Sequence, residues 1–340
     1  MSLIEARGLS KHFKVLNHRE GLVGAMKDLF STDFRVVKAV DDISFAIEPG
    51  EIVGYIGPNG AGKSTTIKML TGILQPTSGR LIVDSIVPYE NRQKNVRNMG
   101  VIFGQRTQLW WDLPVVESFK ILRDIYSIDE NTYNSQLGLF QELVDLRSLY
   151  STPVRKLSLG QRMLCDLAAA FLHNPKVILL DEPTIGLDIS VKSKIRTVIR
   201  ELNDTHRTTI ILTTHDLGDV EALCRRLMII DKGKIIYDGE INRVTELFGV
   251  YRTLKVQIFQ YGDGMMDLLK ARLTDKFGKA SEIVVENTEP GWTDVTVNQA
   301  VVPLLDVLNF LMGTLPVKDV RIVEVSMVSV VQKIYDGALR

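Results

Sequence analysis

Apolar residues change their period along this chain. Residues 2–9 alternate weakly between apolar and polar, and residues 40–47 (VDDISFAI) do so ahead of the turn Glu48-Pro49-Gly50, so both predict half-buried strands. Between them, residues 14–37 form an insertion. Within it Leu22, Met26, Leu29 and Phe30 recur at helical spacing, which predicts a short amphipathic helix. From Glu51 onward the pattern switches. The unbroken apolar runs 52–56, 177–180 and 209–213 have the character of strands buried on both faces. Residues 64–74 and 189–203 carry helical periodicity. Strands alternating with helices predict an α/β fold with a mostly parallel sheet covered on both sides. Residues 114–174 hold no good strand and predict a helical subdomain set into that core, about 106–174 with its leading loop.

A composition shift near residues 248–252 divides the chain into expected domains 1–247 and 248–340. The second predicts strand 253–260, helix 265–277, strands 282–286 and 293–297, helix 301–315, strand 319–325 and helix 329–336. The order β-α-β-β-α-β is that of a ferredoxin-like α+β domain.

The chemistry begins at GPNGAGKST, Gly57 to Thr65, which fits G-x-x-x-x-G-K-[ST] with a strand ahead and a helix behind. Glycines at 57, 60 and 62 let the backbone curl so that N–H groups at Asn59, Gly60, Ala61 and Gly62 cradle phosphate. The helix start adds its positive dipole end. Lys63 can reach the β- and γ-phosphates, Ser64 can ligate Mg²⁺, and Thr65 completes the set. The chain is therefore expected to bind a nucleoside triphosphate. A second element, VILLDEPT (residues 177–184), ends an apolar strand in an acidic pair. Asp181 fits a Mg²⁺ ligand, and Glu182 fits a base that polarises the attacking water.

With these two elements in register, the chain resembles the ATP-binding-cassette (ABC) transporter ATPases over roughly residues 1–245. Four further landmarks carry the resemblance: Gln105 in VIFGQ, the run LSLGQR, Gly186-Leu187-Asp188, and His215 in LTTHD. It implies a P-loop NTPase core with an antiparallel β subdomain and the helical insertion, hydrolysing ATP with Mg²⁺. It also implies that two ATPase units pair head to tail, as a homodimer or pseudo-dimer. Each ATP then lies between one unit's Lys63 and the other's signature residues Ser158, Gly160 and Gln161. Leu159 stands where the family more often has glycine. By the same resemblance Gln105 senses the γ-phosphate and Mg²⁺, His215 supports Glu182, and Asp188 shapes the dimer contact. An aromatic ahead of the P-loop stacks on adenine, for which Phe13 is the candidate and His12 the fallback; a plain core phenylalanine is the competing reading. Trp110 and Trp111 are adjacent, so both cannot point inward on a regular element. In the family this region receives a helix of a polytopic membrane permease subunit, and packing of both rings inside an irregular loop is the alternative.

Charge and composition then narrow the function. Lys+Arg and Asp+Glu are 41 each, so no global electrostatic footprint for nucleic acid exists. Cys165 and Cys224 lie far apart and are expected as small core residues in a reducing compartment. No Cys/His cluster suggests a metal beyond the nucleotide's own, and no run of 18 apolar residues occurs. The expected protein is a peripheral ATPase at the cytoplasmic face of the membrane. It resembles bacterial export systems of the multidrug or natural-product group, with O-antigen or teichoic-acid export as the alternative. An ABC ATPase acting on nucleic acid or ribosomes, or a nucleotide-dependent sensor, are the readings from other classes.

Overall fold

A computed structural model describes residues 2–16, 34–104, 106–214, 216–243, 251–258, 265–278, 283–289 and 291–324. The expected helices around Leu22–Phe30 positions and at 329–336 lie outside these residues. The chain divides into two units, Met1–Ile241 and Asn242–Arg340. The division comes before the composition shift because Ile241 is buried and its N–H bonds to the Arg225 carbonyl at 3.0 Å. The shift at 248–252 marks where the next strand begins.

The first unit opens with β1 (Ile4–Leu16) and β2 (Phe34–Ile47), paired antiparallel from Ile4↔Ile47 to Leu16↔Phe34. The hairpin is longer than the pattern predicts, so both ends of the expected insertion are strand. Phe34, Val36 and Val37 are good strand formers, yet all three are exposed, so no alternation of burial announces them. Next come β3 (Ile52–Ile56), α1 (Lys63–Leu70), β4 (Ser78–Val83), α2 (Arg92–Arg97) and β5 (Met99–Phe103). β4 joins the other side of β1, making the antiparallel sheet β2-β1-β4. Helix α1 is shorter than the expected 64–74. Gly72 adopts the left-handed conformation (φ 71°), and a side chain there would collide with the Pro88 carbonyl at 2.3 Å.

Helices α3 (Val115–Tyr126), α4 (Glu130–Val144) and α5 (Leu159–Phe171) follow, joined by short 3₁₀ turns. Then come β6 (Val177–Asp181), α6 (Ile189–His206), β7 (Thr209–Thr213), α7 (Leu217–Leu223), β8 (Arg226–Asp231) and β9 (Lys234–Glu240). The main sheet runs β5-β6-β7-β3-β8-β9, parallel except for β9. One buried cluster joins Ile4, Leu9, Ile43 and Leu81 of the antiparallel sheet to Ile67 and Met69 of α1. It continues to Val53, Leu179, Ile211 and Met228 of the main sheet. Helix α1 is thus fixed by apolar contacts on both sides, and its first residue is Lys63.

The second unit contains β10 (Tyr251–Ile258), α8 (Met265–Phe277), β11 (Val284–Glu289), β12 (Trp292–Asn298), α9 (Leu304–Thr314) and β13 (Val317–Glu324). Its antiparallel sheet has the order β11-β12-β10-β13. Leu254, Val256, Val295 and Val297 meet Leu269, Leu273, Val307 and Leu311 of the two helices in a separate core. Among the described residues no helix is long and apolar enough to cross a membrane.

Candidate nucleotide-binding site

A cavity of about 340 Å³ lies at the carboxyl ends of the parallel strands, where open α/β sheets bind ligands. Asn59, Gly60, Ala61, Gly62, Lys63, Ser64 and Thr65 all line it, together with Asp181 and Glu182. The P-loop and the acidic pair come from β3 and β6, which are separated by β7 in the sheet. Gly62 is the N-cap of α1 at φ 117°, and a Cβ there would approach the Ala39 carbonyl to 2.4 Å. Only glycine fits. The Lys63 ammonium donates to the carbonyls of Gly57 at 2.5 Å and Pro58 at 3.1 Å, so it points into its own loop. Burial holds its pKa below the usual lysine range, and the carboxylates of Glu182 and Asp181 pull it partly back.

Asp181 ends β6 and accepts a hydrogen bond from the Thr213 hydroxyl on neighbouring β7. Glu182 follows at φ 53°, in the left-handed region, and its N–H donates to the Thr213 carbonyl at 2.9 Å. Beyond it, Thr184 donates to the fully buried carboxylate of Asp219. Asp219 also accepts from Thr214 at 3.3 Å and from Arg196 of α6 at 2.6 Å. One carboxylate therefore ties the segment after Glu182 to the end of β7. The sequence reading misses Asp219, because nothing near it in sequence reveals the partner at Thr184.

The signature residues stand elsewhere. Ser158 caps α5: its hydroxyl accepts from the Gln161 N–H at 3.2 Å, and the Gln161 side chain accepts from the Ser158 N–H at 3.0 Å. This reciprocal box satisfies two otherwise orphaned helix donors. Gly160 faces Val191 so closely that a Cβ would lie 2.6 Å from its side chain. None of the three lines the cavity around Lys63. Asp188 caps α6, accepting from the Val191 N–H at 2.9 Å. Gln105 and His215 lie outside the described residues.

Phe13 pairs with Val37 across the hairpin, under the Lys11 ammonium at 5.4 Å from the ring. It does not line the cavity, whereas Ala39, two residues along β2 from Val37, does. His12 is 3.7 Å from the Asp41 carboxylate. Trp110 and Trp111 are 38% and 50% exposed, and Arg162 of α5 stacks over Trp111 at 5.4 Å. A second cavity of about 640 Å³ shares Ser64, Gly104 and Asp181 with the first and is lined also by Lys68 and Arg106. Cys165 and Cys224 are both buried and unpaired as a disulfide, and burial pushes the Cys165 thiol up to about 12. Among the described residues no group of three His, Cys, Asp or Glu side chains is arranged to hold a metal by itself.

The geometry is that of a P-loop nucleotide site. A family model described as ABC transporter matches residues 40–185. The ABC transporter ATP-binding protein NatA of Bacillus subtilis (strain 168) is 32% identical over 217 residues, covering 64% of this chain and 88% of NatA. The methionine import ATP-binding protein MetN of Geobacillus kaustophilus (strain HTA426) is 34% identical over 212 residues, which are 61% of this chain and 62% of that protein. A solved structure of an ATP-binding subunit of an ABC transporter superposes with a TM-score of 0.60 at 23% identity, covering 73% and 94% of the two chains. The chain belongs to the ABC transporter family. It is an ATP-binding subunit of that family and an ATPase.

Proposed function

We propose that this ATPase powers export through separate polytopic permease subunits, as a head-to-tail pair of ATPase units at the cytoplasmic face of the membrane. One observation carries the pairing: Lys63, Ser64, Asp181 and Glu182 share a cavity that Ser158, Gly160 and Gln161 do not line. A half-site with its signature residues elsewhere is the arrangement that service to a facing unit requires. The capping box supports this role, since a Ser158 hydroxyl held at a helix start presents that end to an anion.

Within each composite site, the P-loop amides and Lys63 hold the β- and γ-phosphates and stabilise charge as it moves to the leaving oxygen. Glu182 takes a proton from the attacking water at its carboxylate, while the Thr213 carbonyl holds its backbone. Gln105 and His215 are assigned to the γ-phosphate by resemblance, and Phe13 to adenine. Mg²⁺ fits Ser64 and Asp181, which share the cavity, with Gln105 added by resemblance; bound there it would neutralise phosphate charge. The second unit is read as a ferredoxin-like domain, which the strand order β11-β12-β10-β13 supports, and as one that reinforces the dimer by resemblance to similar appendages in the family. Export rests on the resemblance of the insertion after LSKHF, the LWWDLP run and the C-terminal extension to bacterial exporters. Import is the competing direction, as in the name of the MetN relative.

The test is complementation. Ser158→Arg places a bulky cation at the helix start and is expected to abolish hydrolysis without weakening ATP binding by the single unit. Mixing it with Lys63→Ala leaves one composite site with both native faces, and some hydrolysis should return. Full activity of Ser158→Arg alone would contradict the pairing. ATP-driven transport into or out of vesicles carrying the copurified permease decides direction.

A further inference from the structure

We infer that Asp166 is a positioning residue of the ATPase cycle: its buried carboxylate fixes the segment leaving the nucleotide cavity to the helix that presents Ser158. The inference rests on the reading above that Ser158 serves the facing unit's ATP.

Asp166 sits on α5, 4% exposed, eight residues or about 12 Å along the helix from Ser158. One carboxylate oxygen accepts both the Thr107 hydroxyl at 2.8 Å and the Gln108 N–H at 3.0 Å. The Gln108 side chain donates back to the Asp166 carbonyl at 2.9 Å. Residues 106–108 lie three to five positions past the end of β5, and the Arg106 N–H donates to the Phe103 carbonyl at 3.1 Å. There Gly104 lines the cavity and donates its N–H to the Asp181 carbonyl at 2.9 Å. A short run of bonded groups therefore leads from Asp181 to the middle of α5. Helices transmit displacement along their axis as rigid rods, so holding α5 at Asp166 also holds its first turn.

Packing alone does not call for a carboxylate here. Its helix neighbours Leu164, Cys165, Leu167 and Ala168 are buried and apolar. Burying a charge without a strong partner is costly. The groups facing Asp166 from the 106–108 segment are the neutral donors of Thr107 and Gln108, and the cation acting on it is Arg162, on its own helix. Burial raises its pKa to about 6 against these bonds, so the carboxylate is mainly ionised at neutral pH and accepts both donors. An apolar residue would fill the space but release the segment.

The experiment uses the full-length chain, with steady-state hydrolysis and equilibrium ATP binding measured on each variant. Asp166→Ala should lower kcat by about tenfold or more while KM and the ATP Kd stay within about twofold. Asp166→Asn keeps an oxygen acceptor and should remain within about threefold of wild type. Thr107→Val combined with Gln108→Ala leaves α5 intact and removes the Thr107 hydroxyl and Gln108 side-chain bonds while sparing the Gln108 N–H. It should lower kcat in the same direction by a smaller factor, so the outcome is readable if Asp166→Ala fails to fold. Adding Thr107→Val to Asp166→Ala should cost little further, since Asp166→Ala has already removed the Thr107–Asp166 bond. Unchanged kcat in Asp166→Ala or in the Thr107/Gln108 pair overturns the inference, and so does an Asn variant as poor as the Ala variant. Ser158→Arg is the control. If it retains activity, the pairing reading has failed; if it is inactive while Asp166→Ala turns over normally, only the role of Asp166 has.

Discussion

Glu182 occupies a backbone conformation that an L-residue adopts only at a cost of roughly 1–2 kcal/mol. The bond from its N–H to the Thr213 carbonyl holds it there, one step past a fully hydrogen-bonded strand. The turn throws its side chain toward the cavity instead of continuing the strand. Glu182→Gln keeps this backbone and the phosphate cradle but removes the base. It should bind ATP with near-native affinity, hydrolyse none, and accumulate as an ATP-bound dimer by size-exclusion chromatography. Wild-type turnover in this variant would remove Glu182 from its role. Lys63→Ala acts on the opposite half of the chemistry. It deletes a charge-assisted contact worth about 1.5–3 kcal/mol, so equilibrium titration should show ATP affinity falling by at least tenfold. Lys63, Ser64, Asp181 and Glu182 are legible in the sequence because their motifs are contiguous and the backbone between them does the shaping. Asp219 and Asp166 are not, since their partners stand 35 and 59 residues away in the chain.

Asp166 on helix α5 and His173 just beyond its end are two buried titratable groups with opposite effects on stability. Asp166 has its pKa raised to about 6 from an ordinary 3.8 by burial. The folded state then holds a proton that the unfolded chain releases first, so this group's contribution falls as pH rises from about 4 to about 6. Its size is on the order of 2–3 kcal/mol. His173, just beyond the helix, stacks on Tyr126 at 4.2 Å and is pushed down to about 4 by burial. There the unfolded chain binds the proton first, so its contribution rises with pH from about 4 to 6.5. Denaturant titrations at pH 5 and 7.5 should show that Asp166→Asn gains more at pH 7.5, relative to wild type, than at pH 5. A pH-independent difference would mean that Asp166 does not titrate as described.

The same scale holds Trp110 and Trp111. At 38% and 50% exposure they are not core residues, and replacing both with Ala should leave melting close to native while weakening association with the membrane partner. A thirtyfold loss, about 2 kcal/mol, is typical of aromatic anchors. A drop of many degrees in melting temperature would return them to a structural role. Elements with strong periodicity or unbroken apolar runs, such as β6 and β7, are readable in advance. The outer ends of β1 and β2 are not, because the exposed Val36 and Val37 show no alternation.

At the scale of the whole molecule, the two units have separate cores and share no sheet among the described residues. Removing residues 242–340 should therefore leave ATP binding by the first unit unchanged and, if the second unit reinforces pairing, weaken dimer formation in sedimentation experiments. The order of strands has a further consequence, for synthesis. Strand β3, which leads into the P-loop, lies between β7 and β8, partners that are made about 160–175 residues later. Such long-range parallel pairing is slow to form and leaves strand edges open meanwhile. A nascent chain halted before residue 209 has the whole phosphate-binding motif outside the ribosome, yet neither flank of the strand that holds it. ATP affinity should thus arise abruptly, when β7 and β8 emerge, rather than growing with chain length.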